Sequence, residues 1–364
     1  MKIGVDASVF VDPLTGIGNY SYHLLVSAAS LMPGDEFVLF SNRPLSVDFN
    51  QNNISVCLVR NGIITTNNYL WKLIGLGLSA KKENVDIFWS TSGAPSIWHS
   101  MPVLLTIYDY VYRFEPTSMS WKSRIFRTIS QSYWVKHAKK IFTISNAVAN
   151  ETRNFYSCEV DNVILPSTDK CFTPLNKIEI DEVKNKHHLT GNYNLIVGTL
   201  EPRKNIQVFL DVYIKLFSKY ELPPLIMVGY KGWKNKDINQ IIHYGEKLGC
   251  VKPLGYINNN DLPALYSGAD IFFMPSKYEG FGMPILEARM CGTPVVCSNV
   301  PAMKESGGDA VFYHSSSREG ITHALEEIYI NKRKMISDKG KGIKWSWESG
   351  AEQLRELFID TYKQ

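Results

Sequence analysis

No stretch of this chain stays apolar over the ~18 residues that a membrane span needs, and no Cys-x-x-Cys pair marks a metal knot or redox site. Asp-x-Asp is missing, as is any cluster of His, Cys and carboxylates at metal-ligand spacing. The start, MKIGVDASVF, lacks the basic region, apolar core and small-residue cleavage site of a signal peptide. Charge of one sign is also scarce. The 39 Lys and Arg stand against 35 Asp and Glu, and a net +4 gives no electrostatic footprint for nucleic acid. These absences argue against a membrane-spanning, zinc-built or nucleic-acid-binding protein. The six cysteines (Cys57, Cys158, Cys171, Cys250, Cys291, Cys297) are expected to be free, buried thiols, as suits a cytoplasmic protein.

What is present is the composition of a soluble globular protein, 45% apolar and 20% charged. At 364 residues it is too long for one ordinary core and suits two domains. Short apolar runs alternate with longer amphipathic segments, the pattern of parallel sheets with crossover helices. In the first half, strands are predicted at Lys2–Asp6, Glu36–Phe40, Ile54–Leu58, Asp86–Trp89, Val103–Ile107, Lys140–Ile144 and Asn162–Leu165. Helices are predicted at Gly18–Leu31, Tyr69–Lys82, Ser120–Ala138 and Asn146–Tyr156. The polar stretch Lys170–Tyr193 loses the rhythm and reads as a domain connection, with His187 and His188 solvated. Strands resume at Leu195–Val197, Leu225–Val228, Asp270–Met274 and Pro294–Cys297. The helices Asn205–Tyr220, Asp237–Leu248, Asn259–Ser267 and Pro284–Cys291 lie among them. The expectation is an α/β protein of two Rossmann-like, doubly wound parallel-sheet domains facing each other across a cleft. Ligands in such sheets sit beyond the carboxyl ends of the strands.

The most informative loop follows Asp270–Met274 and reads Pro275-Ser276-Lys277-Tyr278-Glu279-Gly280-Phe281-Gly282, with a helix starting at Pro284. Proline suits a first helical turn, and Gly292 and Pro294 end the helix about two turns later. Gly280 and Gly282 therefore stand where backbone N–H groups approach a ligand closely, at the positive end of a helix dipole, which suits a diphosphate. Glu279 lies in the loop and Glu287 on about the first turn of the helix. Each carboxylate can accept two hydrogen bonds, matching paired sugar hydroxyls. Taken singly, they would be a solvated loop residue and a helix-dipole partner.

The segment YEGFGMPILEARMCGTPVV resembles the Glu-x7-Glu signature of the family-four retaining glycosyltransferases, which have the two-domain GT-B fold. The resemblance implies that Glu279 contacts the donor sugar, that Glu287 holds the ribose hydroxyls, and that Gly280, Phe281 and Gly282 form part of the donor site. It further implies an acceptor-binding domain over 1–172 and a nucleotide-sugar-binding domain over 173–344. The last helix, about 345–364, is expected to cross back onto the first domain.

A second strand-to-helix loop, Gly198-Thr199-Leu200-Glu201-Pro202-Arg203-Lys204-Asn205, supplies charge. Two adjacent cations are ordinarily just surface, but this run looks like the family's phosphate-binding element. Arg203 can fork across phosphate oxygens and Lys204 can act as a point charge, stabilising the leaving diphosphate without a divalent ion. No metal or other cofactor is expected. Thr15-Gly16-Ile17-Gly18-Asn19 opens the first long helix. Ser21 replaces the third glycine of a dinucleotide fingerprint, so a nicotinamide reading is weak. In the resembled family this loop reaches the donor phosphate, which makes Gly16 and Gly18 donor-site residues. In Thr106-Ile107-Tyr108-Asp109-Tyr110 the family commonly has histidine where Tyr108 stands, near the donor sugar. Either the backbone makes that contact, or tyrosine replaces histidine, or activity is altered. Asp109 is a catalytic candidate, with capping of the following turn as the alternative.

Between Ser120 and Ile141, Lys122, Arg124, Arg127, Lys136, Lys139 and Lys140 occur with no acidic side chain. Two readings stand: a core helix with a solvated basic face, or peripheral docking on an anionic membrane, here the cytoplasmic face of the inner membrane. Resemblance to bacterial polysaccharide mannosyltransferases points to mannosyl transfer from GDP-mannose to a glycan or lipid-linked saccharide in lipopolysaccharide synthesis. A UDP-hexose donor, a sugar-nucleotide 2-epimerase and a non-catalytic binding module are the alternatives.

Overall fold

The computed structural model describes residues 1–60, 62–93, 96, 100–229, 236–308 and 311–363, so that Gln364, at the end of the expected last helix, lies outside the described residues. The chain divides into two compact units, one of residues 1–112, 119–167 and 345–364, the other of residues 113–118 and 168–344.

The first unit is built on seven parallel strands: β1 (Lys2–Asp6), β2 (Glu36–Ser41), β3 (Ile54–Leu58), β4 (Ile87–Ser90), β5 (Val103–Ile107), β6 (Lys140–Thr143) and β7 (Asn162–Val163). Their order is β3-β2-β1-β4-β5-β6-β7. The inner strands are continuous apolar runs because helices cover both faces. The order reverses between β1 and β4, which fixes a switch point at their carboxyl ends. The first helix spans Gly16–Leu31, two residues earlier than expected, since Thr15 already takes the extended backbone that precedes a helix. Gly16 and Gly18 thus belong to its first turn.

The expected helix Tyr69–Lys82 is broken. Asn67 caps a new start by accepting from the Tyr69 and Leu70 amides. A wide π turn at Trp71–Gly75 then precedes the helix Leu76–Lys82. Trp71 is fully buried and its ring lies where a side chain on Gly75 would go. The closing helix Trp347–Lys363 lies in this unit, with Trp347 against Tyr20 and Phe358 against Phe37 and Trp89.

The second unit holds six parallel strands: β8 (Asn194–Val197), β9 (Leu225–Val228), β10 (Val251–Gly255), β11 (Ile271–Met274), β12 (Val295–Ser298) and β13 (Phe312–His314), in the order β10-β9-β8-β11-β12-β13. Apolar clusters flank the sheet, one around Phe209, Tyr213 and Phe273, the other around Tyr266, Phe272 and Ile285. The edge strands β10 and β13 were not apparent in the sequence. One carries Pro253 and alternates in burial, and the other is three residues long.

The presumed connection Lys170–Tyr193 contains a helix, Lys177–Lys186, started by a capping box between Asn176 and Glu179. His187 is not solvated as expected. Its Nε2 lies 2.9 Å from Asp261 Oδ2, a carboxylate that also holds Lys186. Of the six free cysteines, Cys250, Cys291 and Cys297 are buried, while Cys171 is exposed and Cys57 and Cys158 are half-buried, so the expectation of buried thiols fails for these three.

Candidate active site

β11 delivers the loop that ends at Gly282, whose φ of 100° lies in the left-handed region where other residues are strained. A Cβ there would stand 3.0 Å from Ser306 Oγ. Ser306 Oγ in turn donates to Phe281 O at 3.0 Å. The Phe281 side chain is buried, so only its main chain is available to a ligand. The helix Met283–Met290 follows with Pro284 in its first turn, and Gly292, at φ 83°, lies just past its end. Glu287 falls on the second turn rather than the first.

β8 delivers the other loop. Gly198 and Gly229, at the ends of β8 and β9, pack backbone on backbone, and a Cβ on Gly229 would lie 2.1 Å from Gly198 O. The chain then makes a 3-10 turn over Pro202–Lys204 and closes it with Asn205 in the left-handed region. Lys277 N donates to Arg203 O at 2.8 Å, stitching the two loops together.

This places Arg203, Lys204 and Glu279 in one network. Arg203 Nη1 is 2.6 Å from Glu279 Oε2, Lys204 Nζ is 2.7 Å from Glu279 Oε1, and Arg203 Nε is 2.8 Å from Glu201 Oε2. Ser276 Oγ donates to Glu279 Oε1 at 2.8 Å. Glu279 and Lys204 are buried, at 8% and 9% exposure. Burial alone would raise the Glu279 carboxyl, but Arg203, Lys204 and the two hydrogen bonds outweigh it and hold it at about 2. Burial lowers the Lys204 ammonium, aided by Arg203 and opposed by Glu279. Two cations face two carboxylates, so the network is formally neutral.

Glu287 differs. Burial pushes its carboxyl up to about 7, against the downward pull of the Tyr266 hydroxyl, which donates to Oε2 at 2.8 Å, and of Lys204. At the carboxyl ends of β8, β9 and β10 lies a cavity of about 520 Å³ whose walls include Gly198, Leu200, Gly229 and Gly255. A side chain on Gly198 would begin 3.8 Å from Lys204 Nζ, so the glycine keeps the approach to that amine open.

Tyr266, Ser276, Ser306 and Arg289 were missed as supports of this site. Arg289 donates to Ser306 O at 2.6 Å and pairs with Asp338, so it props the serine that fixes Phe281. No spacing rule signals such contacts, although Arg289 and Ser276 flank the signature glutamates.

The remaining candidates lie in the first unit. Gly16 is exposed and nothing stands within 4 Å of a Cβ added there, whereas a Cβ on Gly18 would meet Val9 O and Leu14 at 2.9 Å. Gly18 is thus required by packing. Tyr108 is buried, its hydroxyl 2.9 Å from Ser21 Oγ and its ring edge-on to Tyr20. Asp109 Oδ1 accepts from Val111 N at 3.1 Å and lies 3.9 Å from Arg127, which is the capping alternative. Among the described residues no group of three or more His, Cys, Asp or Glu is placed to hold a metal ion.

The family described as "Glycosyl transferases group 1" matches residues 177–342. An Escherichia coli protein named O-antigen chain mannosyltransferase B is 40% identical over 235 residues, covering 62% of this chain and 61% of that protein. A second, the serotype-specific mannosyltransferase WbdA of Escherichia coli, is 29% identical over 236 residues, covering 61% of this chain and 29% of that protein. The matches thus span about three fifths of the first relative's length and under a third of the second's. Sucrose-phosphate synthase from Thermosynechococcus elongatus superposes with a TM-score of 0.78 over 100% of this chain and 99% of that one, at 17% identity, which establishes a shared fold.

Proposed function

We propose, on the premise of the match of residues 177–342 to the group 1 glycosyl transferases, that the chain transfers a hexosyl group, with retention, from a nucleoside diphosphate sugar to an acceptor hydroxyl. The observation that carries this reading is the buried network of Arg203, Lys204 and Glu279, set on two loops that leave the carboxyl ends of β8 and β11. Breaking the bond between the anomeric carbon and the diphosphate oxygen puts negative charge on that oxygen. Arg203 and Lys204 stabilise it from a network in which Lys204 and Glu279 are buried. The acceptor oxygen forms its bond on the face the diphosphate leaves, and its proton goes to a phosphate oxygen. Glu279 orients the sugar and Glu287 the ribose, while the amides around Gly280 and Gly282 hold the diphosphate, for which the dipole of the following helix is favourable. Gly16 keeps a donor-phosphate role through its open backbone. The Tyr108 hydroxyl and the Asp109 carboxylate are bound within the first unit, so the donor contact at this point is assigned to main chain.

The donor we favour is GDP-mannose, because two relatives are named as mannosyltransferases, and the acceptor is a glycan or lipid-linked saccharide of a cell-surface polysaccharide. A thermal-shift screen of GDP-mannose and UDP-hexoses, with magnesium or with chelator, tests donor and metal together. Stabilisation by GDP-mannose in chelator is the expected result. Stabilisation by UDP-hexoses alone reassigns the donor, and a strict need for magnesium overturns the metal-free mechanism. Conversion of the sugar nucleotide without any acceptor would identify an epimerase, and binding without transfer or hydrolysis a non-catalytic module.

Docking on an anionic membrane is the reading favoured for the basic helix, which spans Trp121–His137. Its buried residues are Ser130, Gln131, Trp134 and Val135. Trp121, Ile125 and Ile129, one helical turn apart, are 68%, 49% and 66% exposed. Their 100° spacing places Lys122 and Lys136 on the same face, a combination suited to anionic lipid. Flotation with anionic but not zwitterionic vesicles is expected, and serine at all three apolar positions should abolish it. Equal flotation with both vesicle types would refute the assignment.

A further inference from the structure

The amides of the 3-10 turn Pro202–Lys204 are satisfied in an unusual way. Pro202 has no N–H, and Lys204 N donates to Glu201 O at 3.0 Å. Glu201 stands at the N-cap, where a side-chain oxygen ordinarily accepts from an amide of the first turn. It makes no such bond, because its carboxylate holds Arg203 Nε at 2.8 Å. The cap comes instead from a distant segment: Arg203 N donates to Ser118 Oγ at 3.1 Å, across 85 positions of sequence. Ser118 is buried and ends the 3-10 turn Pro116–Ser118, where its own amide donates to Glu115 O at 2.9 Å.

Phe114, four residues earlier, meets the other loop. Its ring stacks on that of Tyr278, with centroids 4.9 Å apart and planes at 21°. Tyr278 is buried while Phe114 stays 48% exposed, so the phenyl ring lies as a cover on the tyrosine. Tyr278 O is 3.5 Å from Arg203 Nη1, and the next residue in the chain is Glu279. Residues 113–118 are counted in the second unit, although the chain before and after them belongs to the first. This short segment therefore touches both loops that carry the ion network.

The main chain of Arg203 is held on both sides, its N–H by Ser118 and its carbonyl by Lys277 N at 2.8 Å. A guanidinium sits on a long, rotatable stem, and its aim depends on where that stem is rooted. When a diphosphate displaces Glu279 from the two cations, Arg203 loses a side-chain partner but keeps both main-chain bonds. The rooting counts most at that moment.

We propose that Ser118 and Phe114 are positioning residues, Ser118 rooting Arg203 and Phe114 fixing Tyr278 beside Glu279. Each acts through the loop it holds. Their effect on turnover rests on the glycosyltransferase reading, whereas the contacts themselves are internal to the second unit.

Kinetics and hydrogen exchange test this together. Turnover is read as nucleoside diphosphate released from GDP-mannose or a UDP-hexose, with water as the acceptor. Ser118→Ala is expected to lower kcat about tenfold, the scale of one lost hydrogen bond, with KM for the donor little changed. Ser118→Thr keeps the hydroxyl and is expected to restore the rate. In an Arg203→Ala background, Ser118→Ala is expected to cost nothing further, because the arginine it positions is gone. Exchange of the Arg203 amide, followed by mass spectrometry, should quicken in Ser118→Ala and return to normal in Ser118→Thr. Phe114→Leu is expected to slow turnover in the same way and Phe114→Tyr to keep it, since the ring is what stacks. An unchanged rate in Ser118→Ala overturns the role of Ser118, and an unchanged rate in Phe114→Leu that of Phe114. An equal loss with and without Arg203 also overturns the proposal, because it marks a purely structural contact. A wild-type protein that releases no diphosphate from any of these donors overturns the glycosyltransferase reading instead. The exchange rates of Ser118→Ala and Ser118→Thr then still decide whether Ser118 roots Arg203.

Discussion

Replacing Arg203 or Lys204 with alanine is expected to lower kcat by on the order of a hundredfold, the scale seen when one preorganised charge stabiliser is lost. The effect should fall on kcat more than on KM for the donor. The departing diphosphate bears more charge in the transition state than the bound sugar nucleotide does, so the lost interaction matters most there. The ion network adds a second signature. Glu279 bridges both cations at 2.6 and 2.7 Å, so a diphosphate competes with a carboxylate already in place. Glu279→Gln removes that competitor, and the expected outcome is tighter binding of the free nucleoside diphosphate together with slower transfer. Steady-state rates and product inhibition measured on the three variants separate these effects. Near-normal rates in both alanine variants would remove Arg203 and Lys204 from the mechanism.

Donor affinity should fall by about tenfold for each pH unit below pH 7, the limit set by one required ionisation. The cause is Glu287, whose carboxyl is raised from 4.5 to about 7. Only the ionised form can accept both ribose hydroxyls while Tyr266 holds one oxygen. The stability of the empty protein runs the other way. Between 4.5 and about 7 the folded state binds this proton more tightly than the unfolded state, so this group's contribution to stability declines as pH rises through that window. Glu287→Gln should flatten both profiles, since an amide does not titrate here. KM for the sugar nucleotide is the measurement to follow, because a free nucleoside diphosphate titrates on its own account. A wild-type KM that is flat across the window would place the ribose elsewhere.

Much of this site was legible because glycine and proline punctuate it. Gly280, Gly282 and Pro284 announce a strand-to-helix loop whatever surrounds them, and Gly282 does adopt the backbone that only glycine takes without strain. The ion network was not legible. Arg203 and Glu279 stand 76 residues apart, and nothing in either segment says that their side chains meet. Spacing carried no warning that Tyr108 would turn its hydroxyl to Ser21, and it left Asp109 open between catalysis and the turn cap that the structure shows, since both outcomes depend on rotamers and neighbours.

Periodicity located the helix Trp121–His137 but did not say which face packs. Ser130 and Gln131 are buried while Trp121 and Ile129 are exposed, so hydrophobicity alone did not predict which side packs. Alternating charges hid the helix Lys177–Lys186, although Asn176 and Glu179 carry its capping signal. The π turn at Trp71 had only Gly75 as a hint, because its cause is the room a buried indole ring needs.

The neutrality of the network formed by Glu201, Arg203, Lys204 and Glu279 bears on how a donor is captured. Matched charges project little field beyond a few ångströms, and what remains is screened within about 8 Å at physiological ionic strength. This network therefore does little to steer a sugar nucleotide from bulk solution, and its part in the association rate changes little with salt. Its attraction appears only once a phosphate is near enough to exchange places with a carboxylate. Selection among anions at these two cations is then decided by residence time, not by the rate of encounter.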